Sequence, residues 1–204
     1  MVELINKYFP DLPTEIASKI ALAGEVYKDV NSRINLISRK DIDNIFEKHI
    51  LHSLSIAKIH PLRNNTTLID VGTGGGFPGI PLAIFFPEVK FYLNDSIAKK
   101  MRAVDEIISA LQLKNVQTLH GRSEELKQKF DYVSGRAVTN FTDFYKQTSH
   151  LLAKKDTSEI LYLKGEDVEA ELIKSPFSHV LILNLGDYFE EEFYTTKRLV
   201  ICKK

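Results

Sequence analysis

The amino-acid sequence predicts an α/β fold, in which a mostly parallel sheet of seven strands ends in an antiparallel hairpin and follows an N-terminal helical lobe. The first observation is an apolar strand at 67–71 that runs into a glycine-rich turn and then a helix. The second is the alternation of β-rich runs with helical patterns from there to residue 173. The third is a final pair of strand-like runs with no helical pattern between them, which should pair antiparallel.

The helical lobe is predicted for residues 1–65. Apolar residues recur there at three- and four-residue spacing, as at Ile16, Ile20 and Ala23, which is typical of amphipathic helices. A polar break follows, and we assign residues 66–204 to a second domain that contains the sheet and the cofactor site.

Within the second domain the elements follow one another in regular order. The predicted strands lie at 67–71, 90–93, 116–120, 132–134, 160–163, 180–185 and 198–202. The predicted helices lie at 79–86, 97–113, 142–152 and 168–173. The acidic, aromatic segment 187–194 separates the last two strands, and we expect it to be an exposed loop.

Composition bounds the class of protein. A chain of 204 residues can bury one good core with at most a small lobe beside it. It contains no apolar run near the roughly 20 residues that cross a bilayer, and it begins without the pattern of a secretory signal. Cys202 is the only cysteine, which excludes an internal disulfide and a cysteine metal cluster. We therefore expect a monomer in the cytoplasm, without a membrane partner or a bound metal.

The formal net charge is zero, so the whole chain is not a polycation of the kind that binds nucleic acid by charge alone. Any contact with RNA should come from local basic patches. Each patch is otherwise explained as a solvated helix face or strand end. The candidates are Arg33, Arg39, Lys40, Lys48, Lys99, Lys100, Arg102, Lys154, Lys155, Lys197, Arg198, Lys203 and Lys204.

Four glycines, Gly72, Gly74, Gly76 and Gly79, follow the first strand. Glycine permits positive φ and a close approach of ligand to backbone, so this turn predicts a nucleotide-type cofactor site with Gly72 and Gly74 in contact. The spacing differs from the G-x-G-x-x-G of dinucleotide-binding proteins. Asp70 lies inside the end of the strand, two residues before Gly72, and a carboxylate there suits the cationic methionine moiety of S-adenosylmethionine better than a pyrophosphate.

Ligands of open α/β sheets bind at the carboxyl ends of the strands, and several polar residues lie there. Asp95 can accept hydrogen bonds from both ribose hydroxyls, or it caps the following helix. The N–H groups of Ser123 and Glu124 can face the adenine edge, although the same residues can simply begin a short helix. Arg136 should lie in the middle of the cleft, with a salt bridge to a carboxylate as the structural alternative, and Lys164 follows the next strand.

The helical stretch from Lys48 to Ser53 carries His49 and His52 and can pack over the cleft, where histidines pack or cap more often than they catalyse. Aromatic residues that can stack on a base are more often part of the core. They are Phe77, Phe141 and Tyr145.

Several segments together point to one family. In chain order they are Asn35-Leu36, KHILHS, IDVGTGGGFPGIPL, GRSEEL, SGRAV and YLKG. In these segments the chain resembles the bacterial GidB (RsmG) family over essentially its whole length. The resemblance implies a class I methyltransferase fold, S-adenosylmethionine as cofactor, and methylation of N7 of a guanine in the decoding region of 16S ribosomal RNA in the small subunit.

The same resemblance implies particular site residues. Cofactor contacts carried over by position are Gly72, Phe77, Ser123, Glu124 and Arg136. The chain departs from the family pattern at His52, where relatives often have an acidic residue, and at Gly135, where serine is commoner. The first departure weakens a catalytic role for that helix, and the second leaves the cofactor site intact.

The chemistry of the implied reaction agrees with what the sequence contains. Guanine N7 has a free lone pair and no proton to lose, so no general base is required, and in-line positioning is the main task. We expect Arg136 to position the reactants, and Lys164, Arg39 and Lys48 to bind the RNA. Two other functions remain open: a class I methyltransferase acting on a small molecule or protein, and a non-catalytic ribosome-assembly factor.

Overall fold

The computed structural model describes residues 2–38, 40–153, 157–165, 168–172 and 179–203. Within these ranges seven strands form one sheet in the order β3-β2-β1-β4-β5-β7-β6. The strands are β1 Thr67–Val71, β2 Lys90–Asp95, β3 Val116–His120, β4 Tyr132–Arg136, β5 Glu159–Gly165, β6 Val180–Asn184 and β7 Lys197–Lys203.

Strands β1 to β5 pair in parallel, and β7 pairs antiparallel with both β5 and β6. The predicted fold class and its terminal antiparallel hairpin are confirmed. The helices of the described residues are α1 Val2–Tyr8, α2 Thr14–Arg33, α3 His52–Ile59, α4 Gly79–Phe85, α5 Ala98–Ala110, α6 Phe141–Thr148 and α7 Val168–Leu172. A π-helical turn, Phe46–Leu51, leads directly into α3.

Several predicted boundaries were wrong by a few residues at the ends that form the site. Strands β2, β4 and β5 extend past the predicted 93, 134 and 163, because their polar last residues still have register partners on the neighbouring strand. An apolar pattern cannot follow a strand into such residues. Helix α5 is shorter than the predicted 97–113, since the chain leaves the helix after Ala110 and Gln112 takes a φ of +52°.

Two hydrophobic clusters cover the two faces of the sheet, and neighbouring residues of β1 belong to different clusters. Leu68 packs in the cluster that also holds Ile20, Leu54 and Ile107 of the helices on that face. Ile69 packs in the other cluster with residues of α6 and α7. This alternation is the period-two pattern of a strand buried on both faces. The N-terminal helices thus share a core with α4 and α5, and the division at residue 65 stays a prediction.

The segment 187–194 is not the exposed loop that its composition predicts. Phe189 and Tyr194 are buried, and their rings stack 4.6 Å apart. Tyr8 of α1 packs on Phe189 at 4.7 Å, and its hydroxyl donates to Glu191. The acidic residues thus hide an aromatic face that covers α1, which the average polarity of the segment does not reveal.

None of the described helices is long and apolar enough to span a bilayer.

Candidate cofactor and acceptor sites

The turn after β1 depends on glycine at Gly72. Its φ is +67°, a conformation that other residues rarely adopt, and a Cβ there would lie 2.8 Å from Cγ2 of Val138. The backbone of this turn can therefore approach a ligand and the loop after β4 at the same time.

Asp70 stabilises the turn from inside the protein, and its side chain does not face a ligand. Its side chain is fully buried and accepts hydrogen bonds from Thr73 Oγ1 at 2.6 Å and from the Gly79 N–H and Ser134 Oγ at 3.0 Å each. Burial raises the pKa of this carboxyl to about 6, although its three donors act in the opposite direction. The expectation that Asp70 faces a cationic methionine group was wrong, because its oxygens are engaged inside the protein.

A cavity of about 470 Å³, the cofactor cavity, opens at the carboxyl ends of β1, β2 and β4. It is lined by Val71, Gly72, Asn94, Asp95, Ser96, Lys100, Gly121, Arg122, Ser123, Glu124, Arg136, Ala137, Val138 and Gln147. Five of the predicted cofactor-site residues are among them, namely Gly72, Asp95, Ser123, Glu124 and Arg136, and so is Lys100 from the basic candidates.

Asp95 both shapes the cavity and keeps acceptor capacity for a ligand. Its Oδ1 accepts from the Ile97 N–H at 2.9 Å, and its Oδ2 accepts from the Gly74 N–H at 3.0 Å. Each carboxylate oxygen has two lone pairs, so each can still accept one hydroxyl. The N-cap of α5 is Ile97, without a side-chain capping bond, so Asp95 does not cap that helix, and its contact with the ribose stays a prediction.

Gly74 and Phe77 lie behind the residues that line the cavity. Gly74 orients Asp95 through its N–H. Phe77 is buried, stacks on Tyr27 at 4.6 Å, and lies 5.0 Å from the guanidinium carbon of Arg136. Neither residue lines the cavity, and contact of the cofactor with Gly74 and Phe77 stays a prediction.

Ser123 and Glu124 begin a short 3-10 helix, Ser123–Glu125, as the alternative interpretation expected. The first N–H groups of a helix have no acceptor within it. Both residues line the cavity, so their N–H groups are suited to acceptors of a ligand.

Arg136 ends β4 and is held by three neutral groups, not by the carboxylate that was its structural alternative. Its Nη2 donates to Nδ1 of His49 at 2.9 Å, its Nη1 donates to the Lys48 carbonyl at 3.4 Å, and Phe77 lies against the guanidinium. Burial lowers the pKa of Arg136 to about 10, so the side chain stays charged at neutral pH.

A second cavity of about 360 Å³, the acceptor cavity, adjoins the first and shares Arg136 and Ala137 with it. Besides Arg136, three lysines contribute positive charge. The lining residues are Asp41, Lys48, His49, His52, Arg136, Ala137, Leu163, Lys164, Gly165, Phe193 and Lys197.

Two of the three predicted RNA-binding residues line this acceptor cavity. Lys48 is paired with Asp41 at 2.7 Å, and Lys164 is paired with Glu171. Arg39 lies outside the described residues, as do Lys154, Lys155 and Lys204.

The comparisons with known proteins decide the family. Residues 19–190 match the GidB family, described as rRNA small subunit methyltransferase G. The chain belongs to the GidB family. This confirms the resemblance seen in the sequence, and S-adenosylmethionine is accordingly the cofactor.

Individual relatives agree with this assignment. A Bacteroides thetaiotaomicron protein named Ribosomal RNA small subunit methyltransferase G is 48% identical over 204 residues, which cover 98% of each chain. A Christiangramia forsetii protein of the same name is 46% identical over 98% of this chain and 95% of the relative. A solved SAM-dependent methyltransferase from Aquifex aeolicus superimposes with a TM-score of 0.60 at 15% identity, over 81% of this chain and 98% of that one. At such low identity this last likeness shows the fold alone.

The cofactor cavity of this GidB member fits an adenosine-containing ligand in size and in chemistry. Small-molecule sites usually measure about 300–1,000 Å³, and this one measures about 470 Å³. The Asp95 carboxylate suits a pair of hydroxyls, and the N–H groups after β3 suit the acceptors of a base.

Sequence reasoning missed several lining residues. Asn94 of β2 holds both β3 and the turn after it, because its Nδ2 donates to the carbonyls of Leu119 and Gly121. Phe193 was not considered as a site residue because its segment was assigned to an exposed loop. Lys197 was named only as one of many basic candidates. Phe141 is fully buried on the other face of the sheet, so the core interpretation holds for it.

Proposed function

We propose that the chain transfers the methyl group of S-adenosylmethionine to N7 of a guanine in the decoding region of 16S ribosomal RNA. The observation that carries this proposal is the pair of adjoining cavities that share Arg136 and Ala137. One contains groups suited to adenosine, and the other contains four cationic side chains suited to a polyanion. The expected compartment is the cytoplasm, and the expected partner is the small ribosomal subunit.

In this proposal the cofactor is held by the lining residues of its cavity. Gly72 permits close approach of the backbone, Asp95 accepts from the ribose hydroxyls, and Ser123 and Glu124 donate to the adenine. Arg136 orients the reacting groups from the wall between the two cavities. When bound, S-adenosylmethionine supplies an electrophilic methyl group.

The reaction asks little acid–base chemistry of the protein. Guanine N7 has a free lone pair, so transfer of the methyl group to it would remove no proton from the base. Burial lowers the pKa of His49 to about 3 and that of His52 well below 6.5, so both rings are weak bases. Alignment of the reactants is then the main contribution, worth up to about 7–11 kcal/mol in favourable cases.

Binding of RNA is assigned to the cations around the acceptor cavity. Lys48 and Lys164 are ordered by their acidic partners Asp41 and Glu171, and a phosphate has to displace or share those partners. Arg39 is proposed to act with them. Binding that rests on such contacts weakens steeply as salt concentration rises.

The test is transfer of label from methyl-labelled S-adenosylmethionine to small ribosomal subunits from cells that lack the enzyme. The label is mapped by nuclease digestion and mass spectrometry, with naked 16S RNA in parallel. We expect 7-methylguanosine at a single site. Cofactor binding without any transfer would contradict the proposal and favour a non-catalytic role in subunit assembly.

A further inference from the structure

His52 lies in the acceptor cavity with an unused polar atom. The residue is 5% exposed, its ring lies edge-on to Phe193 at a centroid distance of 5.3 Å, and it contributes to the cavity lining. Its Nε2 has no hydrogen-bond partner among the described residues. Buried polar atoms are nearly always paired, so an unpaired one that borders a cavity points to a ligand.

The hydrogen bonds around His52 determine which nitrogen carries the proton. The hydrogen-bond acceptor that acts on the ring is the main-chain carbonyl of Lys48, and Nε2 has no partner, so we assign the ring proton to Nδ1. The ring is neutral at physiological pH because burial and the charges of Arg136 and Lys197 lower its pKa. A neutral imidazole has a single N–H, so Nε2 of His52 carries a lone pair and can only accept.

His49 has the opposite arrangement. Arg136 has only donors, and its Nη2 donates to His49 Nδ1 at 2.9 Å. The lone pair is therefore on Nδ1 and the proton is on Nε2. Two rings that line one cavity thus offer one acceptor and one donor, each fixed by a main-chain or guanidinium contact.

We propose that His52 Nε2 selects the acceptor base by accepting a hydrogen bond from the N1–H or 2-amino group of guanine. The inference rests on the proposed function, and it makes His52 a specificity-determining residue for that reaction. His49 Nε2–H complements it as a donor to O6, and neither contact occupies N7. Adenine reverses both groups, because its N1 is an acceptor and its 6-amino group is a donor, so it would leave the buried Nε2 of His52 unpaired.

The test compares methylation of small ribosomal subunits by the wild type, His52→Leu and His52→Gln. Leucine keeps an apolar side chain against Phe193 but removes the acceptor, whereas glutamine carries an oxygen that can replace Nε2. We expect kcat/KM for subunits to fall roughly tenfold or more in His52→Leu. We expect His52→Gln to regain most of that loss, and the KM for S-adenosylmethionine to stay unchanged in both variants.

The controls separate this inference from the proposed function and from misfolding. His179→Leu removes an exposed histidine just before β6 and beside Lys203, at the end of the sheet where β5 begins and away from the acceptor cavity where β5 ends, and should leave kcat/KM unchanged. A wild type that makes no 7-methylguanosine overturns the proposed function. A wild type that makes it, with His52→Leu equally active or with no rescue by glutamine, overturns the role of His52.

The tautomer can be measured without any variant. In protein labelled with ¹⁵N at histidine, the wild type should show the His52 proton on Nδ1 and a non-protonated Nε2, and guanosine 5′-monophosphate should shift the Nε2 resonance. Adenosine 5′-monophosphate at the same concentration should not. A proton found on His52 Nε2 would overturn the inference even if His52→Leu failed to fold.

Discussion

Arg136 is the residue at which the two cavities meet, and its direct partners are an imidazole, a carbonyl and an aromatic ring. These partners hold the guanidinium in place without cancelling its charge. A half-buried cation held in this way attracts an anionic or electron-rich ligand more strongly than a fully solvated one does. The side chain is therefore suited to position the reactants.

We predict that Arg136→Ala lowers kcat/KM for methyl transfer by about a hundredfold, because misplaced reactants lose alignment. Arg136→Lys should recover only part of the activity, since an ammonium group cannot reproduce the planar contacts to His49 and Phe77. Steady-state label transfer to subunits measures both variants. Full turnover by Arg136→Ala would remove the positioning role.

Asp95 supports a second prediction at the same scale. Asp95→Asn should weaken binding of S-adenosylhomocysteine by about tenfold to a hundredfold, because one oxygen becomes an NH₂ group that cannot accept from Gly74, Ile97 or a ribose. Isothermal titration calorimetry measures this affinity. Asp105→Asn on α5, whose carboxylate accepts from Thr118 at the surface, is the matched control and should bind normally.

The strands show which parts of the fold can be predicted from the sequence alone. Strands β1 and β3 begin and end where the apolar pattern predicts, and the terminal hairpin is confirmed. The predicted strands β2, β4 and β5 end before the observed ones do, because the polar residues that serve the site interrupt the apolar pattern. The contact of Phe193 with His52 joins residues far apart in the chain, and no local pattern encodes such a contact.

The contact between α1 and the segment 187–194 gives a prediction at the level of elements. Tyr8→Ala should lower the free energy of unfolding by about 3–5 kcal/mol, because it removes a buried ring from Phe189 together with the hydrogen bonds to Glu190 and Glu191. Tyr8→Phe should cost about 1 kcal/mol, since only the hydroxyl is lost. Urea unfolding measures both changes. Tyr188→Ala changes a partly exposed tyrosine of the same segment and should have a much smaller effect.

At the scale of the whole molecule, the site also costs stability, and the cost depends on pH. His49 and His52 are kept neutral by burial and by nearby cations, which are Arg136 for both rings, Lys48 for His49 and Lys197 for His52. The pKa of Asp70 is shifted in the opposite direction, because burial raises it to about 6. These shifts determine how folding responds to acid.

As pH falls below 6.5, the two histidines take up protons in the unfolded chain but not in the folded one, which destabilises the fold. Near pH 6 the folded protein gains one proton at Asp70 that the unfolded chain binds only near pH 3.8, which partly offsets the loss. The unfolded chain still binds about one proton more than the folded chain at these three groups. We therefore predict that the free energy of unfolding falls by about 1.4 kcal/mol between pH 6 and 5.

Urea unfolding at pH 7, 6 and 5 measures this slope, and His52→Leu identifies its source. Without His52, the proton gained by His49 on unfolding is balanced by the proton that the folded chain holds on Asp70, so the slope between pH 6 and 5 should be close to zero. A wild type whose stability is flat or rises over this interval would show that the histidines are not held neutral. The same measurement tests whether His52 is neutral, which the proposed base selection requires, because a buried neutral histidine lowers the free energy of unfolding in acid.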